Sequence, residues 1–393
     1  MNGMAHHLLL IVARVIVLTA PVLIVLRGIR RRNMQYWLGG YLLHFNSRRS
    51  ASKTRRSIHV LLCIADHFEP GWGKADSAKA DTRVAAWTTS YSRLFAGFRD
   101  SDGRMPRHTF FYPIDQYQPH HVDALAGLCR QGFGEVEIHL HHDHDTAENL
   151  EKTLRRFTQL LSQQHGLLGR TGEGEPTYGF VHGNWALDNS RPDGRWCGIR
   201  NELDVLRSTG CYADFTLPSA PDVTQTRKIN SIYYTAGDER RCKSHNTGID
   251  VGASVAPPRS LMLIQGPLLM TWSSGRLLPR IENGCIQSNQ LPTMTRLDRW
   301  IHANVHIASR PDWLFVKLYA HGATEANQKV LLGNPMVEFH QALADRAAKD
   351  SQFCFHYVTA REMYNLAKAA EVNWQGSVVG ARDFLISPPS FNP

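Results

Sequence analysis

Between residues 58 and 375, short apolar runs of β type alternate with helical patterns, and that alternation most limits what the chain can fold into. IHVLLCIAD (58–66), RHTFFYPID (107–115), EVEIHLHH (135–142), YGFVHGN (178–184), YADFTLP (212–218), WLFVKLYAHG (313–322) and FCFHYVTA (353–360) read as strands. Helical periodicity separates them at 84–98, 120–132, 146–166, 199–210, 295–308 and 334–350. The segment 146–166 is the clearest helix, with Thr146 as N-cap and Gly166 as stop. Repeated β–α units argue for a parallel sheet with helices outside it, and about seven such units predict a (β/α) barrel. Residues 219–295 are irregular and read as an insertion with one or two strands; 376–393 is a C-terminal tail, of which SPPSFNP (387–393) reads as loose.

The polar, reactive residues cluster where these strands end. Asp66 and His67, Asp115, His139 to Asp143, His182 and Asn184, Asp214 and His321 all occupy such ends. In a barrel that rim collects chemistry, because strand ends and βα loops converge on it. The densest cluster is HLHHDHD, 139–145. Residues two apart on a strand share a face. His139 and His141 therefore project together, with Asp143 able to join them as the strand ends, while His142 points to the opposite face. Two imidazoles and a carboxylate suit zinc or a similar divalent ion. Asp66 closes a strand that is apolar up to that point, where a carboxylate is costly unless it is paired, hydrated or metal-bound. His67 and Glu69 follow it. His182, Asn184, Trp185 and Asp188 precede a loop containing Arg and Trp, a combination suited to a sugar surface.

The net charge of +9 is local. Residues 1–56 hold ten Lys or Arg and no acidic residue, leaving 34 basic against 35 acidic residues in the body. That distribution argues against a nucleic-acid partner. The basic residues adjoin LLLIVARVIVLTAPVLIVL (8–26). At about 1.5 Å per residue this run is nearly long enough for a bilayer core of about 30 Å. Arg14 in its middle costs about 2.5–3.5 kcal/mol on insertion scales. The expectation is a membrane-anchoring helix within 1–30, a basic, aromatic juxtamembrane linker at 31–56 contacting lipid, and a catalytic domain at 57–375. RGIRRR after the span places that body in the cytoplasm by the positive-inside rule, as a single-pass inner-membrane protein. The seven cysteines form no CxxC pair, and no GxxxxGK[ST], strand-borne GxGxxG or GxSxG occurs.

In order, IADHFEP, HLHHDHD, FVHGNW and KLYAHG resemble the motifs of the polysaccharide deacetylase family. The resemblance spans roughly 58–360 and implies a distorted (β/α) barrel that removes an N-acyl group from a sugar of a polysaccharide or lipid-linked glycan. It further implies Asp66 as general base and His321 as general acid. His139 and His141 would hold the metal, with His67 or Asp143 as third ligand, and His182, Trp185 and Lys317 would contact the glycan, beside Asn184 and Asp188. The chain departs from the family in having Asp66–His67 where two adjacent aspartates are usual, a denser histidine cluster, and no evident Arg in the third motif. An amidohydrolase or glycoside hydrolase on the same barrel, and an inactive membrane-bound glycan-binding protein, remain open alternatives.

Overall fold

A computed structural model describes residues 2–51, 57–272 and 279–390. The strands are β1 (Ile58–His67), β2 (His108–Pro113), β3 (Gly134–Leu140), β4 (Gly169–Arg170), β5 (Pro176–His182), β6 (Cys211–Asp214) and β7 (Ile232–Ala236). They continue as β8 (Ile249–Asp250), β9 (Ser260–Ile264), β10 (Leu269–Thr271), β11 (Arg280–Glu282), β12 (Cys285–Ile286), β13 (Trp313–Ala320) and β14 (Phe353–Tyr357). The main sheet runs β12-β13-β1-β2-β3-β5-β6-β9-β7-β8. It is parallel from β12 to β9, and β7 is antiparallel to its neighbours. The protein is thus a mixed α/β fold on a mostly parallel sheet. Among the described residues no pairing joins β12 to β8, so hydrogen bonds do not close it into a barrel.

One edge of β1 follows β13 from His59 to Asp66. The other is shared: β14 pairs with Ile58–Leu62 and β2 with Ala65–His67. Period-two alternation divides the core. Val60, Leu62 and Ile64 join one apolar cluster with Phe110, Val136, Ile138 and the outer helices; Leu61, Cys63 and Ala65 join a second with Phe111, Val181, Phe215 and Phe315. This second, inner face is covered by a helix, Ala360–Glu371, through Met363, Leu366 and Ala367.

The helices are α1 (Asn2–Arg31), α2 (Leu38–Ala51), α3 (Ser77–Phe95), α4 (Pro119–Arg130), α5 (Ala147–Gln159), α6 (Glu202–Ser208), α7 (Met294–Ala303), α8 (Glu325–Leu331), α9 (Asn334–Lys349), α10 (Ala360–Glu371) and α11 (Val378–Ala381). In α5, Thr146 caps by accepting from the Asn149 N–H, and Leu150, Leu154 and Phe157 bury one stripe. Each of those side chains contributes about 1.5–3 kcal/mol on burial.

The N-terminal expectation is corrected. No helix among the described residues is long and apolar enough to cross a membrane, which overturns the single-pass inner-membrane placement. Helix α1 carries an exposed Arg14 and encloses Pro21, and its end turns back onto the body. Met34, Trp37 and Tyr41, expected at a lipid interface, are buried in the inner core. Asn33 Nδ2 donates to Pro221 O at 2.9 Å. Residues 52–56 of the basic linker and 273–278 of the insertion lie outside the described residues. Among the described residues the insertion contributes six short strands rather than one or two, β7 to β12, of two to five residues each. Such short strands leave no periodicity to read. The start of SPPSFNP is pinned rather than loose, with Ser387 paired to Arg170 just after the buried Ile386, while 391–393 lie outside the described residues.

A buried ionic network holds α10 and the tail under β3. Glu135 accepts from Arg361 (2.9 Å) and from Thr359 Oγ1 (2.9 Å), with Arg107 at 3.5 Å. Glu362 pairs with Arg107 and with Arg382, the latter at 3.2 Å. Arg382 also reaches Asp102 (2.9 Å) and Asp100 (3.3 Å). Arg361 is 1% exposed and also donates to Ile386 O at 2.7 Å. Removing one partner of such a pair strands the other charge in the interior. Arg361→Ala is therefore expected to lower stability by about 3–5 kcal/mol, measured as the shift in urea unfolding at constant m-value.

Burial acts to raise the pKa of Asp102, but His356 at 2.8 Å and Arg382 outweigh it and hold the carboxyl down at about 2. A folded pKa below the unfolded one contributes stability above the unfolded value and loses it as pH falls toward the folded one. The stability gap between the wild type and Asp102→Asn should be widest above pH about 4 and shrink toward pH 2. Paired thermal melts across that range test this.

Candidate metal centre at the ends of the strands

The inner face of β3 and its extension carry Glu135, Glu137, His139 and His141 in succession. Glu135 meets the arginines below. Glu137 accepts from Tyr212 Oη and from the Gly179 N–H, both at 2.6 Å; burial pushes its carboxyl up to about 8. His139 and His141 stand at the mouth.

Both imidazoles have a fixed tautomer. His139 Nδ1 lies 2.8 Å from Val181 O, a carbonyl that can only accept, so Nδ1 carries the proton. His141 Nδ1 lies 3.2 Å from Asp115 Oδ1, and that carboxylate accepts in the same way. Each Nε2 then turns to one carboxylate oxygen: Glu69 Oε1 is 3.0 Å from His139 Nε2 and 3.1 Å from His141 Nε2. Glu69 follows β1, and the neighbouring His67 ends that strand. His67 Nε2 is buried without a partner. Its ring centre is 5.1 Å from that of His139 and 4.9 Å from that of His321. His67, Glu69 and His139 offer ligand atoms that all lie within 4.8 Å of one another.

Burial acts to raise the Glu69 carboxyl, yet hydrogen bonds from His139 and His141 hold it well below the usual carboxylate range. Burial acts to lower His141, and Asp115 and Glu69 outweigh it, pushing the imidazole up to about 10. His67 is held far below the ordinary histidine range by burial and by His321 and His139. A proton on either Nε2 is donated to Glu69, and once it is shed a nitrogen lone pair faces that carboxylate in a largely dry pocket. A cation satisfies it, and the donor set of histidines and a glutamate fits a divalent ion of the zinc class. Nδ1 bonds to a carbonyl and a carboxylate are the outer-shell partners that orient ligating histidines.

The other expected residues divide. His321 joins the mouth, with Trp72 at 5.3 Å and Trp185 at 6.1 Å between ring centres. Trp185 also approaches His67 at 6.2 Å, and its Nε1 is buried without a partner. Asp66 lies on the opposite face of β1 from His67. Its Oδ1 accepts from the Gly322 N–H at 2.6 Å and its Oδ2 meets His108 Nε2 at 2.9 Å. Trp87 Nε1 donates to Gly322 O at 2.9 Å, so the residue after His321 is held at both its N–H and its carbonyl. A Cβ at position 322 would fall 2.1 Å from Asp66 Oδ2, which explains a glycine there.

Asp143 turns away: its Oδ1 accepts from the Trp196 N–H at 2.6 Å. Asp115 takes the place beside His141 expected of it. His182 is fully buried on the outer face, against His142 and Glu202. Asp188 is buried and accepts from the Ser244 N–H at 2.6 Å, tying down the loop at 244. Asn184 and Trp185 have left-handed backbones, φ 54° and 55°. Lys317 is buried on the inner face and donates to Phe215 O at 2.7 Å; burial lowers its ammonium to about 8. It does not reach the mouth histidines. Glu69 was visible as the third residue after Asp66, but period-two reasoning stops where the strand stops, so its return toward β3 was not.

Compared with known proteins, the chain matches no family model and no curated protein.

Gly183 separates the mouth from the outer face. A Cβ there would meet His141 Cδ2 at 2.4 Å and Leu140 O at 2.7 Å. The backbone oxygen cannot yield, so overpacking is unavoidable. Gly183→Ala should cost about 1–3 kcal/mol in urea unfolding and weaken zinc binding in equilibrium dialysis.

Proposed function

We propose that this chain is a metal-dependent hydrolase that removes an N-acyl group from a sugar of a polysaccharide or lipid-linked glycan. The observation that carries the proposal is the convergence of two tautomer-fixed histidines, His139 and His141, on the single oxygen Glu69 Oε1 beside the unpartnered His67 Nε2. His67, Glu69, His139 and His141 would hold the ion. A divalent ion bound there supplies Lewis-acid polarisation of an acyl oxygen and acidifies water. Asp115 keeps His141 oriented. His321, held below the ordinary histidine range by burial, takes the proton of the attacking water and passes it to the amine as the C–N bond breaks. Asp66 acts as a positioning residue, holding the Gly322 peptide and through it His321, a different task from the general base that the family resemblance implies. Trp72 is about half exposed and stands beside His321, where an indole face can stack on a sugar ring. The Trp185 Nε1–H is a free donor for a substrate hydroxyl or carbonyl. The motif order that resembles polysaccharide deacetylases, and a mostly parallel sheet with this cluster at its strand ends, support the same reading.

Acetate release from N-acetylated oligosaccharides, measured with the full-length zinc-loaded protein, tests it. His139→Ala should abolish release, and His321→Gln should lower it by about 10²–10⁴-fold, the span of general acid–base catalysis. Zinc-loaded protein that releases no acetate from any N-acetylated glycan would overturn the proposal.

A further inference from the structure

The outer face of the same strand ends carries a second convergence. His142, one residue past His141, projects to the opposite side and meets His182 from the end of β5. His142 Nδ1 lies 3.1 Å from Asp145 Oδ2, and His182 Nδ1 lies 2.6 Å from Gly183 O. Both acceptors require Nδ1 to carry the proton. The two Nε2 atoms therefore face each other at 2.8 Å, and both face Glu202 Oε1, at 3.1 Å and 3.3 Å, so a proton on either one is donated within this group. Cys197 Sγ closes the group 3.4 Å from Glu202 Oε2. The four ligand atoms all lie within 4.8 Å of one another. His182, Cys197 and Glu202 are wholly buried.

Lone pairs of two imidazoles and a carboxylate repel unless a cation lies between them. A proton can serve two of these atoms. It leaves Cys197 a thiol that donates to Glu202 Oε2 at 3.4 Å and accepts from the Ile199 N–H at 3.4 Å, whereas a zinc ion would take Sγ as its fourth ligand. We infer that His142, His182, Cys197 and Glu202 form a second, closed zinc site, structural rather than catalytic. Four protein ligands of N, S and O type, with no position left open, are the pattern of structural zinc. Asp145 and Gly183 supply the outer contacts that orient the two imidazoles.

The site has a mechanical purpose. It joins the end of β3, the end of β5, the 190s loop and the start of α6. The loop it encloses contains Asn184, Trp185, Asp188 and Asn189, all with positive φ between 50° and 54° or, for Trp185, 55°. A bulky residue such as Trp185 holds that conformation only where its surroundings impose it. Clamping His182 before the loop and Cys197 and Glu202 after it presents Trp185 to His67 and His321. The inference stands independently of the proposed hydrolase.

The experiment is cobalt substitution of the full-length protein, with metal content by elemental analysis. The mouth cluster contains no cysteine, and with the exposed Cys242 changed to serine in every protein compared, a thiolate-to-cobalt charge-transfer band in the near ultraviolet reports on the outer site. Two ions per chain are expected, with the band present in the wild type, lost in Cys197→Ser and retained in His139→Ala. Should Cys197→Ser not fold, the wild-type band and its retention in His139→Ala carry the test. A wild type that binds cobalt without the band, or a band that survives in folded Cys197→Ser, overturns the inference. A band with one ion per chain, unaffected by His139→Ala, supports the outer site while removing the mouth metal.

Discussion

The two-residue repeat of β3 is the constraint on which the rest depends. On one face it strings Glu135, Glu137, His139 and His141 from the floor of the sheet to its mouth; on the other it places Val136, Ile138 and Leu140 under the helices and then His142. A charged group on the inner face of a buried strand needs a partner at every level. Each level has one: Arg361 for Glu135, Tyr212 and a backbone N–H for Glu137, Glu69 for His139, Asp115 for His141. Much of the architecture around the strand supplies those partners. Helix α10 crosses the inner face to bring Arg361, and the tail returns to satisfy Arg361 from behind.

The adjacency of His141 and His142 has a further consequence. Neighbouring residues on opposite faces put two cation-seeking clusters on either side of the Gly183 peptide, one opening to solvent through Trp72 and Asp115 and one sealed. The open cluster keeps an unpartnered imidazole nitrogen in His67, and the sealed one gathers four side chains whose candidate ligand atoms lie within 4.8 Å of one another.

Asp66 shows how burial redirects a residue. An apolar strand ending in a carboxylate suggested a base aimed at the reaction. The carboxylate instead has its desolvation offset by His108 and the Gly322 N–H, on the face away from the mouth. Its influence passes through the peptide that follows His321. Glu69, three residues on and past the strand, holds the position facing the histidines.

The sequence by itself determined the α/β character, the β1, β2, β3, β5, β13 and β14 strands, the Thr146 cap, and the pairing of His139 with His141 apart from His142. Those features follow from periodicity and capping, which are local. Only the tertiary structure decided which carboxylate meets the histidines, because Glu69, Asp115 and Glu202 arrive from loops and helices after the periodic signal ends. It also decided the burial of Trp37 and Tyr41, whose aromatic, basic surroundings read as a lipid interface until the inner core was seen to accommodate them. The insertion's short strands were decided there too, since two to five residues hold no period, and β9 and β12 form only against the edges that β6 and β13 provide.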